Sequence, residues 1–346
     1  MKNKFIYIVT FITLITSSSQ FYYSYKFSDP NFGNSDFFQY AGMVEDPFTS
    51  KSAESPFIYR QFTTSIANFI YSNGIFYDTE ISFKTDRETQ RIFFALLTSN
   101  YLGILFCFFT LIYFIKKYLN EKSIILYFFP VFLISSSFGY VFNGLSPLTE
   151  GWTYFFNLIV FIMLVEKRLT YFLIFIILSM LNKEITSIIF SIFSFSLIIY
   201  QLKTKKSFEN FYVRTFIISM LCFVLYIIIR VVIFPTDGGE AQINIKNLIY
   251  NLINVNFDIS LVKQGILSIT SLIILLFFIL INNRYYDLIK DKMTFSLIIS
   301  IFILFIVGLM SGIGNNIGRI VSSMTPIIVL ISLKYIDLKY EKNLPF

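Results

Sequence analysis

Charged side chains in the loops between the long apolar stretches and at the ends of those stretches are the residues in this sequence best suited to chemistry. The acids of this kind are Asp36, Glu150 and Glu184, and the bases are Arg60, Lys183, Arg230 and Arg319. A carboxylate can take a proton from a hydroxyl group that attacks a substrate. Arginine binds phosphate through two parallel hydrogen bonds, and lysine adds a compact positive charge. Together these residue types suit the transfer of a group away from a phosphate.

The rest of the composition narrows this chemistry. The chain contains no His, which excludes a histidine base and a histidine-ligated metal site. Cys107 and Cys222 lie inside apolar runs, where cysteine is typically a small buried hydrophobe. The net charge of +7 comes from basic residues at the edges of apolar segments. Membrane topology therefore explains that charge, and no nucleic-acid partner is predicted.

Composition and hydropathy pattern predict a membrane protein. Hydrophobic residues make up 55% of the 346 residues and charged residues only 14%, against about 25% charged in soluble domains. The apolar residues form long blocks separated by short charged clusters, as membrane-spanning helices do. We therefore expect an all-α, polytopic transmembrane bundle that forms one integral membrane domain over residues 1–346.

The apolar blocks predict about ten spans. They cover roughly 5–24, 92–115, 123–142, 152–165, 169–182, 185–200, 213–234, 261–282, 294–312 and 320–336. The fourth, fifth and sixth are shorter than the roughly 20 residues that a helix needs to cross the hydrocarbon core. Two of them meet at Asn182, Lys183 and Glu184. Short spans that meet at charges predict helix ends at a protein-lined cavity.

The distribution of Lys and Arg predicts the orientation. With the N-terminus inside, every inner segment carries basic residues, among them Lys2 and Lys4, Lys116 and Lys117, Lys167 and Arg168, and Lys339 and Lys342. The positive-inside rule then places both termini in the cytoplasm. A cleaved signal peptide is the alternative for the first span. The aromatic cluster at 21–23 resembles an interfacial belt and favours a retained helix.

The outer segment from about 25 to 91 is long for a loop, which favours a functional role. Ser55 and Pro56 are typical of a helix start, and Gly74 is typical of a position after a helix end. An apolar stripe at helical spacing lies between them: Ile58, Phe62, Ile66, Phe69 and Ile70. We predict an amphipathic helix at about 56–72 on the outer membrane surface, with Arg60 and Thr64 pointing toward water or a cavity.

A second outer helical segment is predicted at about 235–260. Apolar residues recur at helical spacing over 244–256, namely at Ile245, Leu248, Ile249, Leu252 and Ile253. Several Asn residues occupy the opposite face, as in a helix that lies on a membrane surface.

Four short motifs follow one another along the chain. Asp36 and Tyr40 lie in the outer segment after the first helix, Tyr59-Arg60 opens the predicted surface helix, Leu181-Asn182-Lys183-Glu184-Ile185-Thr186 ends a mid-chain helix, and Gly318-Arg319 is followed by Pro326 at the last one. With the helix number and the long first outer loop, these motifs make the chain resemble the GT-C superfamily of membrane glycosyltransferases. No single family within that superfamily is indicated.

The resemblance implies roles for individual residues. Asp36 corresponds to the acidic catalytic residue of the first outer loop. Arg60, Lys183 and Arg319 correspond to groups that bind the donor phosphate. The remaining site candidates are Tyr40, Glu150, Glu184 and Arg230. A divalent cation, Mg²⁺ or Mn²⁺, is left open as a cofactor.

The implied activity is transfer of a hexose or pentose from a polyprenyl-phosphate carrier to a glycan, lipid or protein at the outer face of the cytoplasmic (inner) membrane. The implied partners are the polyprenyl-phosphate-linked sugar, a glycan or lipid acceptor and the surrounding membrane lipid. Such a reaction belongs to cell-envelope assembly. It needs a base for the acceptor hydroxyl and positive charge for the departing phosphate.

Other functions fit the same pattern. A lipid-linked-sugar flippase or another transporter would also have many helices and a few buried charges, although no internal helix repeat is visible. A polysaccharide polymerase would also act on lipid-linked sugars at the outer face. Each charge also has a structural alternative: Asp36 as a solvated loop acid, Arg60, Arg230 and Arg319 as interfacial anchors, Glu150 as a helix-start acid, and Lys183 and Glu184 as members of structural ion pairs.

Overall fold

The computed structural model describes residues 2–28, 35–47, 53, 59–82, 85–118, 124–137, 146–205, 207–230, 250, 270–310, 319–336 and 345. Within these ranges the regular secondary structure is helical and no strand occurs. The α-helices are α1 (Lys2–Phe27), α2 (Ser35–Glu45), α3 (Gln61–Ser72), α4 (Arg87–Tyr118), α5 (Ile124–Ser135), α6 (Glu150–Val165), α7 (Leu169–Met180), α8 (Ile185–Lys205), α9 (Asn210–Ile228), α10 (Thr270–Ile281), α11 (Asp287–Lys290), α12 (Lys292–Met310) and α13 (Thr325–Ser332). A 3₁₀ turn, Leu333–Tyr335, follows α13.

Four of the described helices, α4, α8, α9 and α12, are long and apolar enough to cross a membrane. The helix α4 is the longest, and its 32 residues span about 48 Å. Shorter apolar helices include α6, α7, α10 and α13, each below the usual spanning length. Every one of the ten predicted apolar segments overlaps a helix, and the chain has the make-up of a multi-pass helical membrane protein.

The described hydrophobic core has two parts. The larger part lies between the long helices and contains residues such as Phe108, Phe161 and Ile328. The smaller part lies where α2 and α3 cover the first turns of α4, around Phe37, Tyr40 and residues 92–97. The segment between α1 and α4 is therefore packed onto the helix bundle through a core of its own, which fixes α2 and α3 relative to α4.

The helix α3 lies within the predicted range of 56–72 but begins at Gln61. Residues 54–58, with the predicted helix start, lie outside the described residues. Thr64 was predicted to point toward water or a cavity; it is fully buried, which excludes water. Small side chains on the same face, among them Thr63 and Ala67, let α3 pack closely. The second predicted surface helix, at 244–256, also lies outside the described residues except for Tyr250.

The helices α4 and α6 touch at glycines. A Cβ atom on Gly103 would overlap the backbone of Trp152, and one on Gly151 would overlap the backbone of Asn100. Small residues allow this kind of close helix crossing in membranes. The crossing fixes the start of α6, and with it the position of Glu150.

Ion pairs join the ends of the helices opposite to that crossing. Lys117 at the end of α4 lies 2.7 Å from Glu166 after α6, and Lys167 lies 2.5 Å from Glu209 before α9. Lys334 lies 2.5 Å from Asp291 before α12. Lys117, Lys167 and Lys334 therefore gather at one end of the bundle, while the candidate site residues gather at the other.

Candidate functional site

Asp36 and Tyr40 enter the site from α2. Asp36 lies in the first turn of this helix, and Tyr40 follows one turn later on the same face. Tyr40 is fully buried, whereas the Asp36 side chain is 25% exposed. Both residues are held against the bundle because Phe37 and other apolar side chains of α2 belong to the smaller core.

Glu150 is the first residue of α6 and its side chain is only 2% exposed. The α4–α6 crossing positions it. The backbone N–H of Gly151 donates to Asn100 Oδ1 at 2.6 Å, and Asn100 Nδ2 donates to the carbonyl of Ser146 at 2.8 Å. Asn100 therefore holds the chain on both sides of Glu150.

Lys183 and Glu184 lie in the turn between α7 and α8, and Asn182 holds that turn in place. Asn182 is 1% exposed and donates to the carbonyl of Thr149 at 3.0 Å, next to Glu150. It also accepts a hydrogen bond from Thr63 of α3 at 2.5 Å. One buried amide thus links the turn to both α3 and the start of α6.

Arg319 joins two of the acids. Its Nη1 donates to Asp36 Oδ2 at 2.8 Å, and its Nε donates to Glu150 Oε1 at 2.5 Å. Lys183 Nζ donates to the same Glu150 oxygen at 2.8 Å. Asp36, Glu150, Lys183 and Arg319 therefore form one connected charge cluster from four separate parts of the chain.

Arg60 connects the third acid to this cluster. Its Nη2 donates to Glu184 Oε1 at 3.2 Å, and its Nη1 donates to the Tyr40 hydroxyl at 3.0 Å. Tyr40 also lies within electrostatic range of Glu150 and Arg319. Tyr40 therefore lies between the Arg60–Glu184 ion pair and the cluster formed around Arg319.

The cluster balances its own charge, because the acids Asp36, Glu150 and Glu184 face the bases Arg60, Lys183 and Arg319. Burial, with help from Arg319 and Arg60, lowers the pKa of Lys183 to about 8, against the opposing effect of Glu150. Burial raises the pKa of Glu184, but the Arg60 charge, a backbone hydrogen bond and the Lys183 charge together outweigh burial and lower this pKa to about 2. Glu184 is therefore ionised at neutral pH, and Lys183 is protonated but can lose its proton in mild base.

All of the predicted site residues except Arg230 thus come together. Arg230 follows the end of α9 and borders the cluster: its carbonyl accepts a hydrogen bond from the Tyr59 hydroxyl at 3.2 Å. Its charge also acts on Tyr226, which is itself close to Glu184 and Arg60.

Sequence reasoning assigned no role to the polar residues that hold the charged ones. Asn100, Asn182 and Thr63 are each fully or almost fully buried. Asn100 lies inside a long apolar run, where a polar side chain is costly and marks a required contact. That signal was available in the sequence, whereas the identity of each hydrogen-bond partner was not.

The carboxylates of the cluster are paired with protein cations. Among the described residues, no group of three or more His, Cys, Asp or Glu could hold one. Each carboxylate of the cluster already faces Arg or Lys, so a divalent cation would have to displace a protein cation.

The arrangement suits chemistry on a phosphorylated substrate. It offers a carboxylate at the edge of the cluster and several cations behind it, in surroundings where such charges act strongly. Comparisons with protein-family models, with curated proteins and with solved structures found no match to this chain.

Proposed function

We propose that the protein is a membrane glycosyltransferase that moves a sugar from a polyprenyl-phosphate carrier to a hydroxyl acceptor. One observation carries the proposal. Arg319 connects Asp36 to Glu150, yet its Nη2 is buried without a hydrogen-bond partner among the described residues. A buried guanidinium N–H normally has a partner, so this donor points to a missing acceptor such as a phosphate oxygen.

The neighbours of Arg319 supply the other parts of the reaction. Lys183 adds a second positive charge to stabilise the phosphate as it leaves. Asp36 has one oxygen on Arg319, while Oδ1 has no hydrogen-bond partner among the described residues. That oxygen can accept the proton of the attacking hydroxyl.

The exposed fraction of each side chain distinguishes the permanent contacts of Glu150 from the exchangeable contact between Asp36 and Arg319. The Glu150 carboxylate is 2% exposed and holds both Lys183 and Arg319, so it serves as a permanent counter-ion. Asp36 and Arg319 are 25% and 20% exposed. A donor phosphate that binds Arg319 therefore competes with Asp36 rather than with Glu150, and this competition frees the carboxylate that acts as base.

The topology in the proposal follows the apolar segments and the basic residues. About ten segments cross the cytoplasmic membrane, both termini lie in the cytoplasm, and the charge cluster lies at the outer side. The gathering of Lys117, Lys167 and Lys334 at the opposite end of the bundle supports this orientation. A polyprenyl-phosphate donor would then enter from the outer leaflet.

A carrier is the second candidate, because the acids and bases of the cluster are paired, balance in charge and lie buried between helices. Buried acids paired with buried bases between helices also mark the pathways of transporters. A flippase for a lipid-linked sugar would use the same cations to hold the lipid phosphate. The two candidates differ in whether a glycosidic bond is made.

Purified protein in sealed vesicles distinguishes them. Vesicles are supplied with a panel of polyprenyl-phosphate sugars, and both new glycoside and sugar lipid moved across the membrane are measured. We expect new glycoside, and we expect Asp36→Asn to lower its rate by about 10²–10⁴-fold. Asp46→Asn, at the exposed end of the same helix, is the matched control and should keep full activity. Movement of the sugar lipid without any new glycoside would refute the transferase.

A further inference from the structure

Glu166 holds two bases at the end of the bundle opposite to the candidate site. Its Oε1 accepts hydrogen bonds from Lys117 at 2.7 Å and from the Tyr118 hydroxyl at 2.8 Å, and its Oε2 lies 2.9 Å from Arg168 Nε. The Glu166 side chain is 6% exposed, whereas Lys117 and Arg168 are 32% and 51% exposed. The acid of this group therefore faces the protein, and its two bases face outward.

Glu209 extends this group through Lys167, the next residue of the same turn. Lys167 Nζ lies 2.5 Å from Glu209, and Lys292 at the start of α12 lies within electrostatic range of Glu209. We call these residues the basic cluster: Lys117, Glu166, Lys167, Arg168, Glu209 and Lys292. Four bases share two acids, which leaves an excess of two positive charges. The neighbouring pairs at this end are each balanced and keep that excess unchanged, namely Arg284 with Asp287 and Lys334 with Asp291.

Lys167 has a backbone conformation that disfavours a side chain, because its φ is 55°, in the left-handed region. It occupies the position that ends α6: the Arg168 N–H donates to the Met163 carbonyl at 2.9 Å, and the Lys167 N–H donates to the Leu164 carbonyl at 3.2 Å. Glycine is the usual residue there, since it has no Cβ atom. Lys167 is 51% exposed, and an exposed pair such as the one with Glu209 contributes little to stability. A costly side chain with so weak a contact favours a role outside the fold.

Two exposed aromatic rings lie beside the basic cluster. Tyr171 follows Arg168 in the first turn of α7, and Phe208 precedes Glu209; the two residues are 52% and 49% exposed. Exposed aromatic residues next to bases are typical of the boundary between the hydrocarbon core and water. An anion that meets these bases therefore also meets apolar surface. This combination fits the phosphate head group and upper acyl chains of a phospholipid better than a free phosphate ion.

We propose that the basic cluster binds the phosphate head group of an anionic phospholipid in the leaflet at that end of the bundle. The positive-inside rule explains why bases gather at one end. It does not explain a lysine in a left-handed position, or why the acid is the less exposed partner in each pair. The proposal does not depend on the glycosyl transfer, because it concerns the opposite end of the protein.

The binding of single lipids tests this proposal. The full chain in detergent micelles is titrated with phosphatidylglycerol, which is anionic, or with phosphatidylcholine, which has no net charge, and bound lipid is counted by native mass spectrometry. One Lys or Arg near an anionic head group strengthens binding about fivefold. For two excess charges we therefore expect phosphatidylglycerol to bind about 30-fold more tightly than phosphatidylcholine. Equal affinities for the two lipids would overturn the proposal.

Lys167→Gln combined with Arg168→Gln removes the two bases of the turn and should abolish the preference for phosphatidylglycerol. Lys26→Gln combined with Arg87→Gln is the matched control, because it removes as many charges from the opposite end of the bundle and should keep the preference. A full preference in the first variant would overturn the assignment. Inorganic phosphate that displaces the lipid more than sodium chloride does at the same ionic strength would overturn the choice of a lipid as the ligand.

Lys167→Gly separates lipid binding from folding. Glycine relieves the left-handed φ, so this variant should unfold at a higher temperature in detergent and yet bind phosphatidylglycerol about fivefold more weakly. Asn283→Gly is the control, since Asn283 occupies the same kind of position after α10, with φ 52°. It should leave the lipid preference unchanged. A Lys167→Gly protein that unfolds at a lower temperature would overturn the proposal, because the lysine side chain would then serve the fold itself.

Discussion

Glu150→Gln removes one charge from the cluster while keeping the size of the side chain. In the wild type, the Glu150 carboxylate is 2% exposed and accepts hydrogen bonds from Lys183 and Arg319 through the same oxygen. The variant leaves those cations with one acid fewer. Arg319 keeps Asp36 at 2.8 Å, whereas Lys183 has no other ion-pair partner among the described residues.

The size of the effect follows from burial. Removing one member of a buried ion pair costs about 3–5 kcal/mol of unfolding free energy. The cost should also depend on pH, because Glu150 is the group that opposes the lowering of the Lys183 pKa. In the wild type this pKa falls from 10.5 to about 8, which corresponds to about 3 kcal/mol. Without Glu150 it should fall below 8.

The sign of the pH dependence follows from proton binding. Between the folded and the unfolded pKa of Lys183, the unfolded state binds more protons, so stability rises with pH. In the wild type this rise begins at about pH 8. In Glu150→Gln it should begin at a lower pH, so the deficit of the variant should be largest in mild acid, shrink as the pH approaches 8 and stay constant above it.

The assay is reversible unfolding in mixed micelles at pH 6, 7, 8 and 9. Glu209→Gln is the control, because its partner Lys167 is 51% exposed and the pair should contribute less than about 1 kcal/mol. A deficit for Glu150→Gln below about 1 kcal/mol would refute the claim that the pairs are buried and strong. A deficit that is equal at pH 6 and pH 8 would refute the role assigned to Lys183.

Three further changes have defined outcomes. Arg319→Lys should lower turnover by about 10²-fold, because the compact ammonium of lysine cannot reproduce the forked contact of a guanidinium. Arg319→Ala should lower it more, and equal turnover for Lys and Arg would contradict the bridging role. Gly151→Ala should displace the start of α6 and reduce both stability and turnover. Gly74→Ala is its control: open space surrounds Gly74, so this change should lower the unfolding free energy by at most about 1–2 kcal/mol and leave turnover intact. Reporter fusions after Lys117 and Arg168 should report the cytoplasm and a fusion near Asn73 the outside; a cytoplasmic signal at Asn73 would invalidate the orientation.

The sequence predicted a helix at each apolar run, because such runs leave the backbone few alternatives in a membrane. Four of the described helices are long and apolar enough to span one. The ends of the helices were less certain. The fourth predicted span was placed at 152–165, but α6 begins at Glu150, whose acid is favourable at a helix N-terminus. The fifth was placed at 169–182, but α7 ends at Met180. Local patterns define where a helix can exist, and tertiary contacts define where it stops.

The charged site residues could be selected from the sequence, but their pairing could not. A charge at the border of an apolar run is costly in any fold, so Glu150 and Arg319 stand out without a structure. Asp36 was selected through its resemblance to an acidic residue of a first outer loop. Which acid meets which base depends on how helices from distant parts of the chain pack.

The contact between Asp36 and Arg319 has a consequence for biogenesis. These residues lie 283 positions apart in the chain, and Glu150 lies 169 positions before Arg319. At about 5–20 residues per second, a ribosome needs about 15–60 s to make the segment between Asp36 and Arg319. During that time both acids wait for their common base while the intervening helices insert. A nascent chain released before its last helices should therefore expose an unbalanced acidic cluster, which a membrane quality-control protease could recognise.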